Sequence, residues 1–343
     1  MRDFSCPRCG QQLAFENSRC LHCGATLRFV LDTRDFVALV EDGPNPRTAE
    51  VGGVVLTSCA NLFTARCNWA TPAGTSLCPS CTLTRVRPAD ADTSGISAFA
   101  DAEAAKRRLV LELVELGLPI VGRAEDPEGG LCFDLLSSEE EPVITGHDNG
   151  VVTLDLAESD DVHRTQLQLS MAEPYRTLLG HFRHETGHYY ATLFLDGAAA
   201  QERAARPEFE RLFGDPDADY QAALDRHYSQ GAPVGWARSF VSSYATMHPA
   251  EDWAETFAHY LHIRDTLDTA AAFGMAPSGA AADRPLAGDV GFDKIIELWL
   301  PLSWSLNMVN RSMGHVDLYP FVLPDAVLEK MRLVHHLVTA EGA

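Results

Sequence analysis

Apolar positions along the chain recur with two different periods, and the change of period predicts where strands give way to helices. Phe29-Val30-Leu31 and Val51 to Leu56 read as strands around the turn-rich Asp42-Gly43-Pro44-Asn45-Pro46. A β region follows over Leu131 to Leu136, Pro142-Val143-Ile144-Thr145 and Gly150 to Leu156, where Val152, Leu154 and Leu156 alternate as in a half-buried strand. Helical spacing predicts a helix over 98–117, with Leu109, Leu113 and Leu116 on one face and Gly117 as its stop. A second helix begins at Glu173-Pro174 and carries Leu178, Phe182, Tyr189 and Leu193 on one side. A third starts at Pro249 and buries Trp253, Phe257 and Leu261. Phe292 to Met313 and Ala326 to Val338 read as helices that complete the core, with Pro320 to Pro324 between them. The small, polar stretch 88–97 marks a boundary.

The polar face of the second helix carries the chemistry. His184-Glu185-Thr186-Gly187-His188 places two imidazoles four residues apart, one above the other, where both can bind one zinc ion. Glu185 then points to the side of an attacking water. A catalytic zinc needs a third protein ligand. A histidine six residues after the second is ruled out, because that position is Phe194. A later acid must serve, and Glu251, Glu255 and His259 share one face of the third helix. Glu251 is the reading as ligand, with Glu255 hydrogen-bonded to a ligating histidine; Glu255 as ligand is the alternative. His181, His147, His227 and His262 read as structural histidines.

Eight of the nine cysteines lie within the first 81 residues, a usage that points to metal rather than to disulfides. Cys6-Pro7-Arg8-Cys9-Gly10 and Cys20-Leu21-His22-Cys23-Gly24 are two knuckles with the spacing of a compact zinc ribbon, a segment too short to hold a core and dependent on zinc to fold. Cys59, Cys67, Cys78 and Cys81 form a second set of four, while Cys132 reads as a buried small hydrophobe. Three modules result: a zinc ribbon over 1–30, a second four-cysteine module over 31–95, and a larger domain over 96–343. The expected cofactor is zinc, one catalytic ion and two structural.

Charge narrows the partners. The formal charge of −21 disfavours nucleic acid, and residues 1–90 balance nine arginines against eight acids. No apolar run is long enough to span a bilayer and the N-terminus lacks an apolar leader, so the expected address is the cytoplasm.

Beyond single motifs, the chain resembles a bacterial zinc-binding metallopeptidase family with an N-terminal zinc-ribbon region. The resemblance rests on both cysteine sets, on Thr145 to Gly150, on Glu173 to Glu185, on Tyr244-Ala245-Thr246-Met247-His248-Pro249 and on Glu251-Asp252-Trp253-Ala254-Glu255. It implies an α+β fold: a mainly helical zincin-like domain with a small sheet, preceded by two small four-cysteine zinc-ribbon modules. Tyr244, seven residues before Glu251, and the Glu251-x-x-x-Glu255 pair are also similar to lethal-factor-type gluzincins, in which the tyrosine contributes to the active site and the first acid binds metal; a packing role for Tyr244 stays open.

The expected activity is peptide-bond hydrolysis, with Glu185 as general base and Tyr244 or His248 stabilising the oxyanion. The substrate would be a peptide or protein, with the strand before the second helix as a candidate edge for extended substrate. The rival readings are a zinc-dependent protein-binding module with an inactive site, and a protease targeted near nucleic acid through its ribbons.

Overall fold

The computed structural model describes residues 2–40, 48–138, 142–159, 177–195, 205–276 and 288–341. The Asp42 to Pro46 turn and the Glu173-Pro174 helix start lie outside the described residues. Two compact units divide the chain: Met1–Glu112 with Val121–Thr145 and Val151–Asp160, and Leu113–Ile120 with Gly146–Gly150 and Asp161–Ala343. The fold class is α+β, about half helical with small sheets.

The first unit is built on short strands. Phe4–Ser5 pairs with Gln12–Leu13, Thr26–Val30 with Asp35–Leu39, and Ala49–Val51, Val54–Ser58 and Ala70–Pro72 form an antiparallel sheet. The stretch Val51 to Leu56 is therefore a hairpin rather than one strand. Gly52 and Gly53 turn it at φ 58° and 82°, a backbone that residues with a Cβ rarely adopt. The aromatic residues of the first thirty pack on partners from beyond that segment. Phe4, Phe15 and Phe29 bury against Phe36 and Trp69, with ring centroids 5.0 Å apart for Phe15–Phe29 and 5.3 Å for Phe29–Trp69. Both cysteine sets thus flank one aromatic cluster.

Helix α1 (Pro79–Thr82) carries Cys81, and Thr84–Val86 and Val151–Asp155 pair in parallel with Cys132–Leu136. Helix α2 (Thr93–Glu115) begins five residues before the position expected from apolar spacing, because Asp92 accepts a hydrogen bond from the Gly95 amide and caps it. Gly117, at φ 72°, ends it as expected, with the Leu118 amide returning to the Leu113 carbonyl. Pro142 to Thr145 is not a strand. Thr145 uses its hydroxyl instead, accepting from the Asp155 amide and donating to Glu158; the strand starts at Gly146.

The second unit is helical: α3 (Leu178–Leu195), α4 (Ala205–Phe213), α5 (Tyr220–Gln230), α6 (Pro249–Ala272), α7 (Gly288–Ser312) and α8 (Asp325–Glu341). Helices α4 and α5 are short pieces that the apolar spacing did not signal. The contact that positions the site is α3 on α6. Tyr190 stacks on Phe257, Phe194 packs edge-on to Trp253, and the Trp253 indole donates to the Gly187 carbonyl at 2.9 Å. Gly187 makes this approach possible. A Cβ there would lie 3.0 Å from the Ala254 Cα and 3.3 Å from its carbonyl oxygen.

Gly187→Ala should therefore destabilise the protein. The helix propensity gained is about 1 kcal/mol, whereas overpacking against backbone that cannot rotate away costs about 1–3 kcal/mol. Thermal melts paired with a zinc count read the result: a lower melting temperature with weaker retention of one zinc, although no donor has changed. An unchanged melt would show that the helices separate freely.

Candidate metal centre

The two helices bring three donors together. One ligand atom each from His184, His188 and Glu251 lie within 4.8 Å of one another. Glu251 spans the histidines, with Oε2 at 3.0 Å from His184 Nε2 and Oε1 at 3.4 Å from His188 Nε2. Donors on a zinc ion with bonds of ~2.0–2.1 Å stand ~3.3–3.4 Å apart at tetrahedral angles, so this set has the size that zinc requires. On its other side, His184 Nδ1 meets Glu255 Oε1 at 2.8 Å. Placing the proton on Nδ1 leaves the Nε2 lone pair facing Glu251.

The three side chains also attract one another electrostatically. Burial opposes ionisation of Glu251, yet His188 and His184 outweigh it and hold the carboxyl well below its usual range. Burial likewise opposes a charged His184, and the Glu251 and Glu255 carboxylates overcome it and push the imidazole well above its usual value. Glu255 titrates at about 2, because its bond to His184 overrides burial.

Glu185 is buried on the next turn position. One oxygen lies 3.3 Å from His181 Nε2, while Oε2 is buried and has no protein partner among the described residues. Burial alone would raise its pKa; the bond to His181 and the charge of His184 keep it below the ordinary value, so it stays a carboxylate.

Tyr244, on a short 3-10 turn (Tyr244–Thr246), sets its ring 5.9 Å from that of His184. Burial, reinforced by the charge of Glu251, pushes the phenol far above its usual pKa, and the hydroxyl remains a donor. His248 is elsewhere. Its Nδ1 accepts from the Ala250 amide and caps α6, and its Nε2 meets the Ala218 carbonyl at 3.0 Å. Both ring nitrogens are committed to backbone, which removes His248 from the two oxyanion candidates, whereas Tyr244 lies beside His184 with its hydroxyl against that of Tyr220.

Several neighbours escaped the sequence reading. Tyr220 donates to Glu251 Oε1 at 3.0 Å from the first turn of α5, with no motif around it to mark it. His147 stacks on His188 with rings 6.1 Å apart and 13° from parallel, and His181 touches Glu185, so two of the histidines read as structural border the site. His227 lies edge-on to Tyr244. His262 packs in the core against Tyr319.

The cysteines form two further clusters: Cys6, Cys9, Cys20 and Cys23, and Cys59, Cys67, Cys78 and Cys81. Sulfurs stand 3.7 Å apart in the pairs Cys6–Cys23, Cys9–Cys20 and Cys67–Cys78. Four sulfurs at ~2.3 Å around a tetrahedral zinc are ~3.8 Å apart, far from the ~2.05 Å of a disulfide. Gly10 and Gly24, both at φ 72°, close the two knuckles of the first set by sending their amides back to the Cys6 and Cys20 carbonyls.

A buried histidine below the site gives the protein an acid limit. His259 hydrogen-bonds the Tyr319 hydroxyl at 2.8 Å, and burial pushes its pKa down to about 4 despite the charge of Glu255. Unfolding frees it to take a proton at its ordinary 6.5. Its contribution to stability is therefore full above pH 6.5 and lost as the pH falls toward 4, amounting to about 3 kcal/mol. Melting temperature against pH should fall across that window and fall less steeply in His259→Gln, the remaining slope coming from His262 and His147, which burial also holds low; parallel curves for the two proteins would refute the assignment.

Three donors on paired helices and two clusters of four cysteines are three groups of side chains that could each hold a metal ion. The family model described as "Putative zinc-binding metallo-peptidase" matches residues 95–337, and a zinc-ribbon domain matches residues 3–92. The chain belongs to this zinc-binding metallo-peptidase family. It is similar to an uncharacterized protein of Mycobacterium tuberculosis and to one of Mycobacterium bovis, each 61% identical over 340 residues, which span 98% of this chain and 95% of theirs. No solved structure matches the chain.

Proposed function

We propose that this protein is a zinc-dependent peptidase that hydrolyses peptide bonds, with His184, His188 and Glu251 holding the catalytic ion and Glu185 as general base. The observation that carries the reading is the conjunction of three donors at zinc spacing with a buried carboxylate oxygen that no protein group among the described residues uses. Bound there, zinc would act as a Lewis acid that acidifies water and polarises a carbonyl. Glu185 Oε2 takes the proton from the attacking water and delivers it to the leaving amine nitrogen. The Tyr244 hydroxyl donates to the developing oxyanion. Glu255 holds the Nδ1 proton of His184, and Tyr220 steadies Glu251, so both ligands are oriented before substrate arrives.

Each cysteine cluster holds one structural zinc in this reading, three ions per chain in all, within ribbon modules over 1–30 and 31–95 and ahead of a catalytic domain over 96–343. The substrate is a peptide or protein, and the ribbons offer a surface for a protein partner. No helix among the described residues is long and apolar enough to cross a membrane; we place the protein in the cytoplasm. An inactive binding module fits less well, since a structural site has no use for a buried base beside its ligands.

Elemental analysis of the purified chain tests the assignment of donors. Wild type should hold three zinc ions and Glu251→Gln two, while Glu255→Gln should keep three and release one about 10–100-fold more readily. Full retention in Glu251→Gln together with loss in Glu255→Gln would exchange their roles.

A further inference from the structure

Ser242 lies between two parts of the site that come from different stretches of chain. It is buried, 7% exposed, and its hydroxyl serves two partners. It donates to Glu255 Oε2 at 2.6 Å and accepts from the Ala245 amide at 3.1 Å. Ala245 is the middle residue of the turn that carries Tyr244. Glu255 Oε1 is the oxygen that faces His184 Nδ1. One hydroxyl thus joins the turn of the oxyanion donor to the carboxylate that sets the tautomer of a metal-binding histidine.

The segment around it is pinned on both sides. Lys330 of α8 donates to the Ser239 carbonyl at 2.7 Å and to Asp252 Oδ2 at 2.5 Å, and its ammonium lies 4.2 Å from the Phe240 ring centroid. At the far end His248 caps α6. The anchors hold the ends, and between them Ser242 is bonded both to the turn and to a residue that touches a donor.

Resting on the zinc-peptidase reading, we propose that Ser242 is a positioning residue that, through Glu255, ties the orientation of His184 to the placement of Tyr244. A hydroxyl carries one proton and two lone pairs, so it can serve carboxylate and amide at once. Without it, Glu255 loses a charge-assisted partner in a buried setting and is free to turn about its terminal torsion, and the Nδ1–H of His184 follows. The Ala245 amide is left without its acceptor, which loosens the Tyr244 turn from the same cause.

The test uses the full-length, zinc-loaded protein, titrated with EDTA and assayed on a mixed peptide library. Ser242→Ala should release the third zinc roughly tenfold more readily and lower kcat with little change in KM. Ser242→Thr, which keeps the hydroxyl, should restore both. In a Glu255→Ala background, Ser242→Ala should cause no further loss of zinc, because no side chain is left there to carry the path. A turn-stabilising role alone would lower zinc retention by the same factor in both backgrounds, and that result, or unchanged retention in Ser242→Ala, overturns the proposal. Should Ser242→Ala not fold, Ser242→Cys keeps the volume with a weak donor and carries the same expectation. Wild type that holds a third zinc yet cleaves no peptide defeats the peptidase reading, while the zinc cycle still decides on Ser242. Wild type with only two zinc ions overturns both.

Discussion

Glu185→Gln should keep all three zinc ions and lose peptide hydrolysis. The substitution preserves size and the possibility of a contact with His181, but an amide cannot accept the proton of the attacking water. General-base catalysis is worth roughly 10²–10⁴-fold, so turnover should fall by that factor. Metal retention should be spared because Glu185 lies outside the set of three donors. Its carboxylate does add negative charge to a buried site, so a modest weakening of the ion is compatible with the scheme. The informative experiment profiles a proteome-derived peptide library with wild type and variant side by side. Cleavages made by wild type and absent from the variant would also report the sequence preference. Equal proteolysis by the two proteins would remove Glu185 from the mechanism.

Loss of a ribbon cysteine should have the largest effect on folding. Cys20 is fully buried among its three partners, and Cys20→Ser removes one thiolate from a four-sulfur set. In small zinc modules the apparent binding free energy of the ion is about 10–16 kcal/mol, far more than a segment of this size stores in packing. The aromatic cluster changes how far the damage spreads. Phe4, Phe15 and Phe29 line the same cluster as Phe36 and Trp69, and the Asn68 carbonyl accepts from the Phe29 amide at 2.8 Å. Cys20→Ser should therefore expose Trp69 as well as release its zinc, visible as a shifted indole resonance and one zinc fewer per chain. A variant with three zinc ions and a native Trp69 signal would contradict the structural role of the first cluster.

Much of the candidate site is legible in the sequence, and the reason is geometric. A spacing of four residues on a helix fixes a shared face, so His184 with His188, and Glu251 with Glu255, follow from local periodicity alone. Knuckle cysteines are legible for a similar reason: two residues and a glycine define the turn. What stayed hidden depends on contacts between distant segments. Tyr220 and Ser242 belong to no periodic pattern, and each acts through one hydroxyl on an acid in α6. His248 reads from sequence as an oxyanion candidate, yet its place just before Pro249 makes it a cap. In the fold, the helices with long apolar stripes were visible. The Gly52-Gly53 hairpin was missed because a short apolar run reads as one strand, and α2 began early because its cap, Asp92, lies outside the stripe.

The close passage of Gly187 over Ala254 also bears on which ion the site accepts. Two backbones in contact act as a spacer of fixed thickness, and the bite between the histidine pair and Glu251 cannot widen without breaking that contact. Calcium needs six to eight oxygens at ~2.3–2.6 Å, a larger shell richer in carboxylates than two imidazoles and one carboxylate can offer. The donors themselves thus disfavour calcium, and Gly187, which lies outside the donor set, keeps the two helices that carry them in close contact.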